Sequence, residues 1–234
     1  MTALPIDPAI PRRALVTGGA KRLGRAITLA LAQAGFDIAL HCRGSQPEAA
    51  ALAGEVAAMG RACVVLTADL ANEAEVATLV GRAGPGLGVL VNNASAFEPG
   101  GWEDTDRANW DAHLEPNLRA PFVLMQDFAR ALPQAAHGAI INMLDQRVWS
   151  LTPYFVAYSV SKVGLWGLTQ SMALALAPRI RVNAIGPGPA LPSARQSQAQ
   201  FDRQCARLPL KHGTSPEEIG RAALAILALP ALTG

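Results

Sequence analysis

Val16-Thr17-Gly18-Gly19-Ala20-Lys21-Arg22-Leu23-Gly24-Arg25 follows a short apolar run, Ala14-Leu15-Val16, and opens an alanine-rich stretch that ends at Gly35. The order is strand, glycine turn, helix. Glycines in such a turn let the backbone approach a pyrophosphate closely, and the helix N-terminus presents unpaired N–H donors to the anion. Taken alone, a glycine cluster is equally a plain turn. The strand before it and the helix after it make it a nucleotide site.

Working outward, the same alternation repeats. Strands are expected over 14–16, 37–40, 63–66, 89–91, 140–142 and 181–185. Helices are expected over 22–34, 47–59, 72–80, about 110–132 and 157–176. A last one starts at Ser215-Pro216-Glu217-Glu218, where serine caps, proline suits the first turn and the carboxylates favour the positive end. Alternating strands and helices imply an α/β fold, a doubly wound parallel sheet with helices on both faces. No composition break, repeat or low-complexity tract divides the chain, so residues 1–234 read as one domain.

With 50% hydrophobic and 16% charged residues, the chain can bury a sizeable core. A net charge of +2 leaves no footprint for nucleic acid or an anionic membrane. The apolar runs fall short of the ~20 residues a bilayer-crossing helix needs. Arg12 and Arg13 lead straight into a strand-like run instead of a signal-peptide core. Cys42, Cys63 and Cys205 show no CxxC and no nearby histidine pair, which argues against a disulfide framework or a metal site. The expectation is a soluble, cytoplasmic protein.

The end of the second strand selects the cofactor. A carboxylate there would bind an unmodified ribose diol, whereas a cation accommodates a 2′-phosphate. The residues are Leu40-His41-Cys42-Arg43-Gly44-Ser45, with no acid before Glu48. Lys21 and Arg22 on the adjacent loop complete a cationic pocket in which Arg43 and Ser45 meet the phosphate. The cofactor expected is NADPH.

Further motifs follow in order: Ala68-Asp69-Leu70, Asn92-Asn93-Ala94, Tyr158-Ser159-Val160-Ser161-Lys162, and Arg181-Val182-Asn183-Ala184-Ile185-Gly186-Pro187-Gly188. With the first loop, they resemble the short-chain dehydrogenase/reductase family, and more narrowly its pteridine reductases. That resemblance implies a Rossmann-type sheet and an NADP-dependent oxidoreductase acting on a small molecule, assembled as a homotetramer. It places Gly18, Lys21, Arg22, Leu23, His41, Arg43, Ser45, Asp69, Leu70, Asn93, Ala94, Ser95, Pro187 and Gly188 at the cofactor, together with Tyr158 and Lys162.

Three features resemble the pteridine reductase variant. Arg22 stands where most family members have glycine. In Asn93-Ala94-Ser95-Ala96-Phe97, the resemblance implies that Ser95 contacts the cofactor and Phe97 stacks on a pterin ring. Asp145 stands thirteen residues before Tyr158, where the family usually has serine.

Tyr158 and Lys162 are four apart and share one helix face. An ammonium beside a phenol would favour phenolate and lower its pKa. Asn117 matches the family asparagine of a water-linked proton path, and is otherwise a satisfied interior amide. Asp145, at the carboxyl edge of the sheet, can donate or accept a proton where serine can only hydrogen-bond. A dry site would keep it neutral. Asp145 and Tyr158 are thus the expected proton-delivery pair, or Asp145 is a carboxylate held by Arg147. The polar stretch 193–207 reads as a substrate lid spanning about 190–212, with Trp149, Leu151 and Tyr154 lining the same pocket. The reading is a pterin reductase. The alternatives are a reductase of another carbonyl or imine compound, and a low-turnover NADPH-binding regulator.

Overall fold

In the computed structural model, which describes residues 5–193 and 195–234, six strands form one parallel sheet. They are β1 (Arg13–Val16), β2 (Asp37–Cys42), β3 (Cys63–Thr67), β4 (Leu87–Asn92), β5 (Gly138–Met143) and β6 (Ile180–Ile185). The helices are α1 (Arg22–Gln33), α2 (Gln46–Ala58), α3 (Glu73–Arg82), α4 (Arg107–Leu114), α5 (Ala120–Ala131), α6 (Val156–Leu176), α7 (Gln198–Ala206) and α8 (Pro216–Ala228).

Strand order is β3-β2-β1-β4-β5-β6, so the chain moves outward from β1 and then returns to start again at β4. Val16 pairs with Leu40 on one side and with Val91 on the other. The direction of winding reverses between β1 and β4, and the loops leaving these strands diverge to open a crevice there.

Residue parity explains the two cores. Val16, Leu40, Val89, Val91 and Ile141 point to the face covered by Ile27 and Leu31 of α1, Leu52 of α2 and Ile226 of α8. Their neighbours Leu15, Ala39, Leu90 and Ile140 point to the face covered by Leu79 of α3, Phe128 of α5 and Ala173 of α6. β4 and β5 are buried along their whole length, as strands covered on both faces must be.

Two elements differ from the sequence expectation. The helical region expected over 110–132 starts earlier, because the Asp106 side chain accepts from Asn109 N–H at 2.7 Å and caps α4. It is also interrupted. Pro116 lacks an N–H, and the helix widens into one π-turn over Glu115–Arg119 before α5. Secondly, the stretch read as a polar lid contains α7, closed at its start by a reciprocal capping box between Ser197 and Gln200. α8 begins at Ser215-Pro216 as expected, with Ser215 and Glu218 making a second capping box.

Candidate active site

The crevice is built from the loops after β1 and β4. Thr17 Oγ1 accepts the N–H groups of Asn93 and Ala94 at 2.9 and 3.0 Å. Asn93 Nδ2 returns hydrogen bonds to the carbonyls of Thr17 and Gly18 at 2.9 and 3.0 Å. The two loops are therefore one unit. Gly18 has φ 59°, and a Cβ there would lie 2.9 Å from Ala94 Cα. A Cβ on Gly24 would collide with the Gly18 carbonyl, so Gly18 is fixed by contact and conformation and Gly24 by contact.

His41 supports the loop from below. It is buried, and burial lowers its pKa and keeps it neutral. Its Nδ1 accepts the Gly18 N–H at 3.1 Å, which leaves the proton on Nε2 for the Ala68 carbonyl, also at 3.1 Å. It is thus a neutral brace for the glycine turn.

Above these loops lies a cavity of about 680 Å³. The residues expected at the cofactor and Phe97, Asp145, Tyr158 and Lys162 all line it except Gly188, and Asn117 lies outside its lining. Lys21, the N-cap of α1, makes no side-chain cap, so the first N–H groups of the helix remain open to the cavity. Beyond β2, Arg43 is exposed and has no ion pair among the described residues, and Ser45 begins α2 with no side-chain capping bond. Lys21 pairs with Glu48 at 2.5 Å, which blunts its charge. Arg22 adopts φ 53°, the left-handed conformation in which glycine is at ease. Its guanidinium donates to the carbonyls of Pro192 at 3.0 Å and Leu191 at 3.5 Å.

At the other end, β5 delivers Asp145 and α6 delivers Tyr158 and Lys162. The Tyr158 hydroxyl donates to Asp145 Oδ2 at 2.7 Å, and the Arg147 backbone N–H donates to Asp145 Oδ1 at 2.9 Å. Lys162 is 2% exposed and donates to the Met143 carbonyl at 2.8 Å. Burial pushes the lysine pKa down to about 8. The tyrosine moves opposite to the sequence expectation. Burial, and then the charge of Asp145 and its hydrogen bond, hold the phenol far above its ordinary value. Lys162 Nζ lies 5.9 Å from the ring centroid, whereas the carboxylate touches the hydroxyl, so the carboxylate outweighs the lysine. The Arg147 guanidinium lies 5.0 Å over the Phe155 ring and does not pair with Asp145.

Asn117 projects from the π-turn and is fully buried. Its Oδ1 accepts Ala96 N–H at 2.7 Å, and its Nδ2 donates to the Ala96 carbonyl at 2.9 Å and Ser161 Oγ at 3.0 Å. The amide clamps the loop at Ala96 to α6, and these bonds occupy both Nδ2 protons. His113 Nε2 accepts the Glu98 N–H at 2.9 Å and holds the same loop one step further on.

Phe97 lines the cavity, with one ring face already covered. Phe155 stacks on it at 4.6 Å and 12°, and Tyr158 meets it edge-on at 4.7 Å. Sequence reasoning missed Phe155, though its place in the turn before Tyr158 is a usable signal. Trp149, Leu151 and Tyr154 do not line the cavity: they are 77%, 69% and 70% exposed. Of the expected lid, Ala194 lies outside the described residues. Arg195 donates to the Phe97 carbonyl at 3.2 Å and pairs with Glu98, tying the expected lid to the loop after β4.

A doubly wound sheet with a phosphate-ready loop at its switch point, and a Tyr/Lys helix beside it, defines a dinucleotide-dependent oxidoreductase. The short chain dehydrogenase profile matches residues 12–203, and the chain belongs to that family. Among relatives, an uncharacterised oxidoreductase of Mycobacterium tuberculosis is 34% identical over 232 residues, covering 94% of this chain and 88% of the relative. The 3-oxoacyl-[acyl-carrier-protein] reductase of Staphylococcus aureus is 33% identical over 181 residues, covering 76% and 74%. Among solved structures, FolM alternative dihydrofolate reductase 1 of Brucella suis, in complex with NADP, superposes with TM-score 0.91 at 43% identity, covering 94% of this chain and 90% of that one.

Proposed function

We propose that the protein is an NADPH-dependent reductase of a pterin. The observation that carries this reading is the 2.7 Å hydrogen bond between Tyr158 and Asp145 at the carboxyl edge of β5, beside Phe97. The residues fit the cofactor: open N–H groups at α1, a glycine turn with no room for side chains, and Arg43 with Ser45 at the acid-free end of β2. Likeness to an NADP-bound relative at 43% identity supports the same choice.

NADPH held by these residues would supply a hydride for the carbon of a C=N bond. The protein must then deliver one proton to the adjacent nitrogen. Tyr158 holds that proton at the cavity face, and its raised pKa keeps it there across the neutral range. Asp145 orients the hydroxyl through one oxygen while the Arg147 N–H fixes the other. Lys162 faces the cavity from the next turn of α6. Phe97, backed by Phe155, offers its free face to a flat heteroaromatic ring. Arg22 and Arg195 hold the 190–212 lid against the phosphate loop and the substrate loop. The same reading makes residues 1–234 one cofactor-binding domain in a cytoplasmic homotetramer. The exposure of Val160, Val163 and Leu174 on α6 supports the assembly, and sedimentation checks it.

The test is NADPH oxidation against 7,8-dihydrobiopterin, 7,8-dihydrofolate and simple ketones, with the wild type and Asp145→Asn. Pterin turnover that falls at least ~100-fold in the variant is expected, since positioned acid–base groups contribute about that much. Turnover of ketones alone would establish the second reading, a carbonyl reductase, which the likeness to 3-oxoacyl reductases favours. Full turnover in Asp145→Asn would remove Asp145 from proton delivery.

A further inference from the structure

Asp145 lines the catalytic cavity, and the next residue, Gln146, lines a second one. This groove, about 320 Å³, is completed by Gln200, Arg203, Gln204, Arg207 and Leu208. Positions 200, 203, 204 and 207 recur at the spacing of one helix face, so α7 turns a stripe of arginine and amide groups toward the Asp145–Gln146 turn. The other polar groups of the segment are engaged. Arg195 pairs with Glu98, Asp202 accepts from Gln198 at 2.8 Å, and Gln204 accepts from Gln196 at 2.8 Å. Among the described residues, the side chains of Arg203 and Arg207 have neither a carboxylate nor a hydrogen-bond partner, although they stand one turn apart in the same groove.

We propose that this groove is a subsite for the anionic tail of the substrate, and that the enzyme prefers pterins whose side chain ends in carboxylates over those with short neutral side chains. The proposal rests on the pterin reading of the main cavity. Gln146 follows Asp145 in the chain and lines the groove that holds the guanidiniums, so a substituent leaving a ring held at Asp145 toward Gln146 would meet them. Two forked cations a helical turn apart suit carboxylates, and the glutamine amides supply further donors to the same oxygens. Leu208 gives the tail an apolar wall.

The experiment compares kcat/KM for 7,8-dihydrofolate, whose tail carries two carboxylates, with that for 7,8-dihydrobiopterin, whose side chain is uncharged. It uses the wild type and the Arg203→Gln/Arg207→Gln double variant, at low and high salt. Both arginines are exposed, so the substitutions do not threaten the core. The expected result is a roughly ten- to hundred-fold fall in the dihydrofolate-to-dihydrobiopterin ratio, carried by KM, because two charge-assisted contacts partly screened by solvent are lost. In the wild type the ratio also falls as salt rises. A ratio unmoved by the double variant, with both pterins still reduced, would overturn the tail subsite and leave the pterin reading standing. If the wild type reduces neither pterin, the parent reading fails and the subsite falls with it.

Discussion

Replacing Lys162 by methionine should abolish most activity while leaving the protein at least as stable at neutral pH. The lysine is 2% exposed, and burial lowers its pKa from 10.5 to about 8. The unfolded chain therefore holds this proton more tightly than the folded one. A group with a depressed folded pKa contributes its full stability only above the unfolded value, and that contribution is lost as pH falls through the folded value. At pH 7 the buried ammonium costs about 3 kcal/mol. Methionine removes that cost but leaves the Met143 carbonyl without its donor at 2.8 Å, a loss of about 1–3 kcal/mol. The variant should thus match the wild type at pH 7 or exceed it by up to about 2 kcal/mol.

The pH dependence is the sharper test. Between pH 7 and pH 9 the wild type should gain about 1 kcal/mol relative to the variant, as the lysine sheds its proton in the native state. Burial pushes the Cys63 thiol up to about 11, but Cys63 titrates in both proteins and drops out of the difference. Urea unfolding followed by the fluorescence of the four tryptophans gives both numbers. A difference that stays flat from pH 7 to 9, or a variant clearly less stable at pH 7, would refute the reasoning. The kcat should fall at least ~100-fold in the same preparation.

Asn117→Ala leaves the Ala96 N–H and carbonyl without their buried partner, and should cost about 2 kcal/mol in chemical denaturation as well as raising the pterin KM. Arg43→Gln should raise the KM for NADPH roughly tenfold and leave that for NADH unchanged, because the guanidinium reads only the 2′-phosphate. Arg22→Gly should relieve the left-handed backbone by about 1 kcal/mol. It also frees the carbonyls of Leu191 and Pro192, so limited proteolysis should cut faster at these two residues.

The elements set by local chemistry were legible in the sequence. The glycine turn after β1, the alternation of strands and helices, and the Ser215 cap of α8 each rest on residues close together in the chain. Asp145 was legible through the family resemblance, which marks the position thirteen residues before Tyr158. A strand that ends at Met143 and a helix that starts at Val156 bring a thirteen-residue offset to a 2.7 Å contact. α7 was missed because its sequence lacks an apolar stripe: glutamines and arginines dominate it, and a reading based on hydrophobic period passes over it. Its one local signal, serine at 197 followed by glutamine at 200, does not depend on period at all.

Other features come from encounters that no spacing announces. Arg22 turns to carbonyls 169 and 170 residues away, and Asn117 clamps a loop 21 residues earlier. The tyrosine is the instructive case. Tyr158 and Lys162 share a helix face, which invites a phenol depressed by a nearby cation. A shared face fixes direction, and the size of an electrostatic effect depends on distance and solvent. Lys162 reaches past the ring to the end of β5, while Asp145 meets the hydroxyl directly in a site that excludes most water. The nearer charge and the burial act together, so the phenol stays protonated and is suited to giving a proton up. The residue that reverses the expectation is Asp145, which stands where the family resemblance leads one to expect serine.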